Sequence, residues 1–509
     1  EPDSALIRPS NSRVSDLVRA ACDAGFNMLR IWGGGVYESD HFYELCDEHG
    51  ILVWQDFPYG CAYYPDIGPY AEAARVEATA AVRRLRIHPS LALWCGNNEN
   101  QTMFHDGWEG QEGRAPRYLG ENLYHKILPA VIESEDAGRP YWPSSPYGGE
   151  NPNSEECGDR HDWDVWHGRG DWIHYREDNS RFVSEFGFGS SCGMDAWDRC
   201  LAPADRWPHS PAVRWHDKTR KGYDTYLGFI ALHFPGPQTL TDLVYYSQLN
   251  QAEALKCGLE HWRRQKGRCW GLLFWQINDC WPVQSWSIID SVGERKAAYY
   301  SVKRAYKRAL LSLLRQDDRV EAYLTNDGIT PLSGTVTLSV KTFDGETILE
   351  ETSAAEVEAN GTAAVAELDL TEVAGQERDI YVAARFEQDE HSKVRTVSEP
   401  FEYGEDENLL FLAEPKDLRL PDAGLHVTAT GFGEGRSDKG FTLQFTAKRL
   451  APYVWWRVPG RMAEAGEPPW VDNFFHLEAG QTRSFNVYFD GEDIQTVDDL
   501  LGRLQVRSL

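Results

Sequence analysis

The sequence predicts a parallel (β/α)8-type barrel followed by two β-sandwiches, and three observations carry that reading. Up to about Leu310, short apolar runs alternate with longer amphipathic stretches, the pattern of a parallel sheet with crossover helices. Beyond Leu310 the period changes to that of β-strands separated by Asp-Gly and Asn-Asp-Gly turns, with no long helical pattern. The length, 509 residues, allows three folding units at roughly 100–200 residues each.

In chain order the apolar runs read as buried strands are 27–32, 51–57, 91–96, 140–145, 164–167, 181–186 and 271–277. Helical periodicity falls between most of them, at Ser12–Gly25, Glu38–His49, Tyr70–His88 and Thr239–Lys266. A closed barrel of this kind has eight strands, so one is expected to be absent, and the barrel is assigned to residues 1–310. In the C-terminal part, 320–325, 334–340, 380–384 and 441–446 alternate or are rich in β-formers. The acidic, polar stretch 402–408 is expected to link two sandwiches, 311–404 and 405–509.

Composition narrows the function. No apolar run approaches the 18 or so residues of a membrane span, and the first residues have neither a basic nor an apolar signal segment. A membrane is therefore not expected as a partner. The formal charge of −28 repels phosphate backbones and argues against nucleic acid. Aromatic residues make up 12%, with 19 Trp, several beside acidic or amide side chains. That mixture suits sugars, which offer apolar faces to stack on and polar edges to hydrogen-bond. The ten Cys all lie before residue 281 without zinc-type spacing. They are expected to be reduced, small and mostly buried, which favours the cytoplasm. Arg outnumbers Lys and most of the excess acidity lies beyond Leu310, which suits adaptation to high salt; a GC-rich genome explains the Arg preference equally well.

In a parallel barrel the site is built at the C-terminal strand ends. The run Leu91-Ala-Leu-Trp-Cys-Gly96 passes directly into Asn97-Asn98-Glu99, and Arg181-Phe-Val-Ser ends on Glu185. Both carboxylates follow buried strands, where desolvation tunes a carboxyl pKa. Two carboxylates facing one pocket are what glycoside hydrolysis requires; their separation, which sequence does not fix, decides between retention and inversion. A helix cap or an ion pair with Arg is the competing role for either one. Gly33-Gly34-Gly35 lacks the spacing of a phosphate loop and reads as close backbone approach to a ligand.

Leu29-Arg-Ile-Trp-Gly-Gly-Gly-Val-Tyr-Glu38, Phe42-Tyr-Glu-Leu-Cys-Asp47, Val53-Trp-Gln-Asp-Phe57, Gly96-Asn-Asn-Glu99, Val183-Ser-Glu-Phe-Gly187 and Phe274-Trp-Gln-Ile-Asn-Asp279 resemble, in this order, the β-mannosidases of glycoside hydrolase family 2. Val471-Asp-Asn-Phe-Phe-His-Leu-Glu-Ala-Gly480 resembles their last immunoglobulin-like domain. The resemblance implies a barrel with two immunoglobulin-like sandwiches, and exo-acting, retaining release of terminal mannose from β-mannoside oligosaccharides or glycan-derived mannosides, with no metal or organic cofactor. It assigns Glu99 as acid/base and Glu185 as nucleophile, Asn98 to the sugar hydroxyl beside the anomeric carbon, and Trp32 and Trp275 as pocket walls. Trp142, Trp166 and His167 are further candidates for substrate binding. Another exo-β-glycosidase activity, on glucosamine, galactose or glucuronic acid, and a non-catalytic carbohydrate-binding relic stay open. Glu1-Pro-Asp-Ser4 resembles the loop after the first barrel strand. That strand and the two domains that family members carry ahead of it are therefore expected to be missing, and the chain as it stands to be poorly stable or inactive.

Overall fold

The computed structural model describes residues 10–108, 117–219, 221–389, 405–433, 440–460, 471–489 and 494–509. The expectation resting on residues 1–4 lies outside them, as do positions 402–404 of the expected linker. The chain divides into two compact units, residues 1–188 with 267–281, and residues 189–266 with 282–509.

The first unit holds the parallel strands of the barrel. β1 (Met28–Ile31), β2 (Leu52–Asp56), β3 (Leu91–Cys95) and β4 (Tyr141–Trp142) form one parallel sheet in sequence order. β5 (Arg160–Asp162) and β6 (Val183–Phe186) form another parallel pair, and Leu272 bridges in parallel to Val183. Helix α1 (Asn11–Asp23) leads into β1, α2 (Asp40–His49) and α3 (Gly68–Leu85) connect β1 to β2 and β2 to β3, and α4 (Asn100–Asp106) and α5 (Leu128–Glu135) follow β3. Sequence explains these elements locally. Ser10 caps α1 through its side chain, and Val14, Val18 and Ala21 repeat at helical spacing on the buried face. Gly50 ends α2 in the left-handed conformation that glycine adopts without steric cost. Val53, Leu91 and Trp94 of the strands, with Phe57 just past β2, meet Val18, Phe42, Val82 and Leu128 of the helices in one apolar core.

Two expected strands come out differently. Residues 164–167 lie in a π-helical turn, Asp164–Arg169, and the strand is the polar triplet Arg160-His161-Asp162 just before it. Val165 and Trp166 are apolar because they form the buried side of that turn. In 271–277 the single bridge at Leu272 and backbone bonds to Val183 and Phe186 replace a regular ladder, and the Trp275–Gln276 peptide is cis.

The second unit opens with helices α6 (Met194–Cys200), α7 (Pro211–Trp215), α8 (Tyr223–His233), α9 (Leu240–Arg264) and α10 (Ala297–Ala305). Two antiparallel sandwiches follow. β7 (Ala309–Gln316), β8 (Arg319–Asn326) and β11 (Gly361–Asp369) form one sheet of the first. β9 (Leu332–Thr342), β10 (Thr347–Val357), β12 (Ile380–Gln388) and β13 (Glu405–Phe411) form the other. Leu324, Val336, Leu338 and Val382 fill the space between them, as alternating inward positions do in an aligned sandwich. The second sandwich pairs β14 (His426–Phe432), β15 (Gly440–Thr446) and β18 (Thr482–Val487) against β16 (Ala451–Arg457), β17 (Phe475–Leu477) and β19 (Gln505–Arg507), around Leu443, Phe445, Val454 and Phe475. The linker expected at 402–408 is corrected here: from Glu405 the chain is strand β13, paired with β12 from Tyr381↔Phe411 to Glu387↔Glu405.

Candidate active site

Polar residues gather where the parallel strands end. Arg30 comes from β1, Asp56 from the end of β2, Asn98 and Glu99 from the segment after β3, Ser145 from the segment after β4, His161 from β5 and Glu185 from β6. Glu99 sits at φ 61° on the N-terminal cap of α4, a left-handed conformation uncommon for a residue with a side chain. Its backbone N–H donates to Ser145 O at 2.8 Å, and its carbonyl accepts from Met103. The two carboxylates are almost fully buried, Glu99 7% and Glu185 5% exposed.

His161 stands between them. Its Nδ1 lies 2.8 Å from Glu99 Oε1 and 3.4 Å from Glu185 Oε2. These three donor atoms all fall within 4.8 Å of one another, so the carboxyl groups are close, on the scale of the ~5–5.5 Å of retaining rather than the ~6.5–9.5 Å of inverting glycosidases. Arg30 donates to Glu185 Oε1 at 2.7 Å, to Asp56 Oδ2 at 2.8 Å and to Asn98 Oδ1 at 2.7 Å. Trp163 Nε1–H donates to Glu185 Oε2 at 3.1 Å. Cys61 Sγ lies 3.4 Å from Glu99 Oε2 and accepts from Asn98 Nδ2.

The electrostatics follow from burial and these partners. Burial alone would raise Glu99, but the hydrogen bond and charge of His161 outweigh it and hold that carboxyl below the usual range. Burial pushes Glu185 up, with His161 and Arg30 opposing and Glu99 adding repulsion. For His161 burial disfavours the charged ring, yet Glu185 and Glu99 together raise it above the usual imidazole value. Burial also disfavours charge on Arg30; Asp56 and Glu185 more than restore it and keep the guanidinium firmly protonated. Glu99, His161 and Glu185 have donor types and spacing that a divalent cation accepts. However, the Arg30 guanidinium already holds Glu185, and a second cation there would meet its repulsion. The donor set fits proton sharing better than metal ligation.

The expected residues divide. Trp32 and Trp275 meet edge to face, ring centroids 5.0 Å apart, both half-buried. Trp142 is half-buried, with its indole N–H committed to Asp159 Oδ1 at 2.7 Å. His167 is exposed and lies against Trp163, the residue bound to Glu185. Trp166 is corrected: it is fully buried, edge-on to Phe188 at 4.8 Å, and packs the core instead of lining a pocket. The glycine run packs closely against protein. A Cβ on Gly34 would fall 2.0 Å from the Trp32 ring, and one on Gly33 2.7 Å from Tyr59 O. Of the ten cysteines, Cys61, Cys157, Cys200 and Cys280 are exposed and Cys22 half-buried, so burial holds for only the other five. Sequence reasoning missed Arg30, Asp56, His161 and Trp163. The first two stand inside motifs quoted for their apolar neighbours, and His161 was hidden by the misplaced strand.

A parallel barrel that brings two close carboxylates to its strand ends is an architecture shared with retaining glycoside hydrolases. Residues 318–417 match the Mannosidase Ig/CBM-like domain and residues 420–509 the Ig-fold domain of the mannosidase type. Beta-mannosidase B of Thermothelomyces thermophilus is 34% identical over 470 residues, covering 82% of this chain and 53% of that protein. Beta-mannosidase B of Aspergillus fumigatus is 36% identical over 306 residues, 57% of this chain and 36% of that protein. Among solved structures, the beta-D-mannosidase of Dictyoglomus thermophilum superposes with a TM-score of 0.87 at 35% identity, covering 100% of this chain and 59% of that one. The chain thus corresponds to the C-terminal part of the β-mannosidases of glycoside hydrolase family 2, and it spans about half or less of the length of the curated relatives it matches.

Proposed function

We propose that this chain carries the catalytic carboxylates of an exo-acting, retaining β-mannosidase, releasing terminal mannose from the non-reducing ends of β-mannosides. The observation that carries this reading is the pair Glu99 and Glu185, buried where β3 and β6 end, with one oxygen of each within 4.8 Å of the other. In the first step the Glu185 carboxylate attacks the anomeric carbon while the glycosidic bond breaks and Glu99 protonates the departing oxygen. In the second, Glu99 takes a proton from water, which displaces Glu185 from the anomeric carbon. Arg30 and Trp163 hold both Glu185 oxygens, fixing the attacking group in place. Asn98, oriented by Arg30, reaches the hydroxyl beside the anomeric carbon, and Trp32 and Trp275 stack on the sugar.

The test is kinetic, on the full-length protein. Glu185→Gln is expected to abolish turnover of aryl β-mannosides. Glu99→Gln is expected to slow substrates with poor leaving groups by about 10²–10⁴-fold, and activated aryl mannosides far less, since these need little protonation. Near-native activity of Glu185→Gln would overturn the assignment, and a panel of aryl glycosides would expose a preference for another sugar.

A further inference from the structure

The direction of the hydrogen bonds around His161 fixes more than its position. Asp159 accepts four: Trp142 Nε1–H at 2.7 Å and Tyr147 N–H at 3.0 Å on Oδ1, and the hydroxyls of Ser145 and Ser184, each at 2.6 Å, on Oδ2. A serine hydroxyl has one proton. Ser145, giving it to Asp159, presents only lone pairs to His161 Nε2 at 3.0 Å, so Nε2 must donate. At the other side of the ring Nδ1 faces carboxylate oxygens of Glu99 and Glu185, which accept when ionised. The ring therefore donates from both nitrogens, which only an imidazolium does. It is 2% exposed, so its charge is answered by these neighbours and not by water. One contact opposes it: Arg30 Nη1, which gives one of its two protons to Glu185 Oε1 at 2.7 Å, lies 3.4 Å from Nε2 and offers it the other; at 3.0 Å the Ser145 oxygen is the nearer partner of Nε2 and sets its role. Asp56, on the far side of Arg30, and the Cys61 thiol beside Glu99 complete the surrounding titratable groups.

We propose that His161 stores the proton that Glu99 gives to the leaving oxygen, with Asp159 and Ser145 fixing the ring through Nε2. This rests on the reading of Glu99 as acid/base. In the resting site Glu99 and His161 form an ion pair. As the glycosidic bond breaks and Glu185 bonds to the anomeric carbon, the Nδ1 proton passes to Glu99 and on to the leaving oxygen, which keeps the bonding pair. His161 is then neutral, with hydrogen on Nε2. When water attacks the glycosyl ester, its proton returns through Glu99 to Nδ1, and the C–O bond to Glu185 breaks with the pair going to the carboxylate. His161 acts through Glu99 and is a positioning residue; its role is distinct from packing because it sets which species of Glu99 is present.

Two measurements decide it. The first is independent of turnover: ¹⁵N-histidine NMR of the free full-length protein, with the His161 signals identified by their loss in His161→Gln. Both ring nitrogens are expected to be protonated at neutral pH, and a ring with one bare nitrogen would overturn the proposal. In the second, His161→Gln is compared with wild type on aryl β-mannosides of graded leaving-group ability. The loss is expected to reach about 10²-fold or more for poor leaving groups and less than about tenfold for activated ones. An equal loss across the series, in a variant whose denaturation midpoint is near wild type, would overturn it. If wild type hydrolyses no β-mannoside, the functional reading fails while the NMR experiment still decides the state of His161.

Discussion

At the scale of single residues, the site is a balance of buried charges whose partners lie far apart in sequence. Glu99 and Glu185 were legible because apolar runs end on them. Arg30 and His161 were not, because an Arg inside a strand and a His in a polar triplet carry no signal until their partners are known. Next to His161, Asp162 shows the cost of this crowding. It is 3% exposed, and burial, with the charge of Asp178, pushes its carboxyl up to about 7, while Arg160 only partly opposes. An unfolded aspartate loses its proton near pH 4. Between about 4 and 7 the folded chain thus holds a proton that the unfolded chain has released, so stability falls as pH rises through that window and levels off above it. Asp162→Asn removes the penalty. Its stability relative to wild type is expected to rise from pH 4 to pH 8 by on the order of 4 kcal/mol, about 1.4 kcal/mol for each pH unit of that window, followed by urea denaturation across that range. A difference that stays constant with pH would contradict the assignment.

At the scale of elements, helices were the most readable features because their caps and periodicity are local. The expected helix 239–266 is α9, Leu240–Arg264, and it starts where Thr239 and Asp242 form a reciprocal capping box. Thr239→Ala is expected to cost about 1 kcal/mol, measured as a lowered denaturant midpoint with unchanged slope; a shift within error of zero would mean that neighbouring packing alone fixes that helix end. Strand β5 was misplaced for the opposite reason. Its residues are Arg, His and Asp, of which His161 is buried in the site and Asp162 beside it, whereas the adjoining π-helical turn supplies the apolar residues a strand search looks for. β13 was taken for a linker because it is acidic and polar. Yet its Asp406 accepts from Lys307 and from the Leu311 backbone, and Asn408 donates to Glu260 and to the Leu311 carbonyl. A buried polar strand is hidden in sequence whenever its hydrogen-bond partners are distant.

At the scale of the whole molecule, the switch from helical to alternating periodicity near Leu310 falls where α10 gives way to β7, since each layer architecture imposes its own period on the chain. The boundary between the two sandwiches carries no such change, because both sides are β. The barrel's contribution to the site is convergence: side chains 155 positions apart in sequence, Arg30 and Glu185, meet at 2.7 Å, brought together by the parallel arrangement of strand ends. The central claim is that this convergence makes Glu185 a nucleophile in a double displacement. Trapping tests it most directly: incubate the full-length protein with a 2-fluoro β-mannoside bearing an activated leaving group, digest it, and locate the added mass. A single sugar adduct on the peptide carrying Glu185 is the expected result. An adduct on another residue, or turnover of unmodified β-mannosides in which the α-anomer is released first, would contradict it.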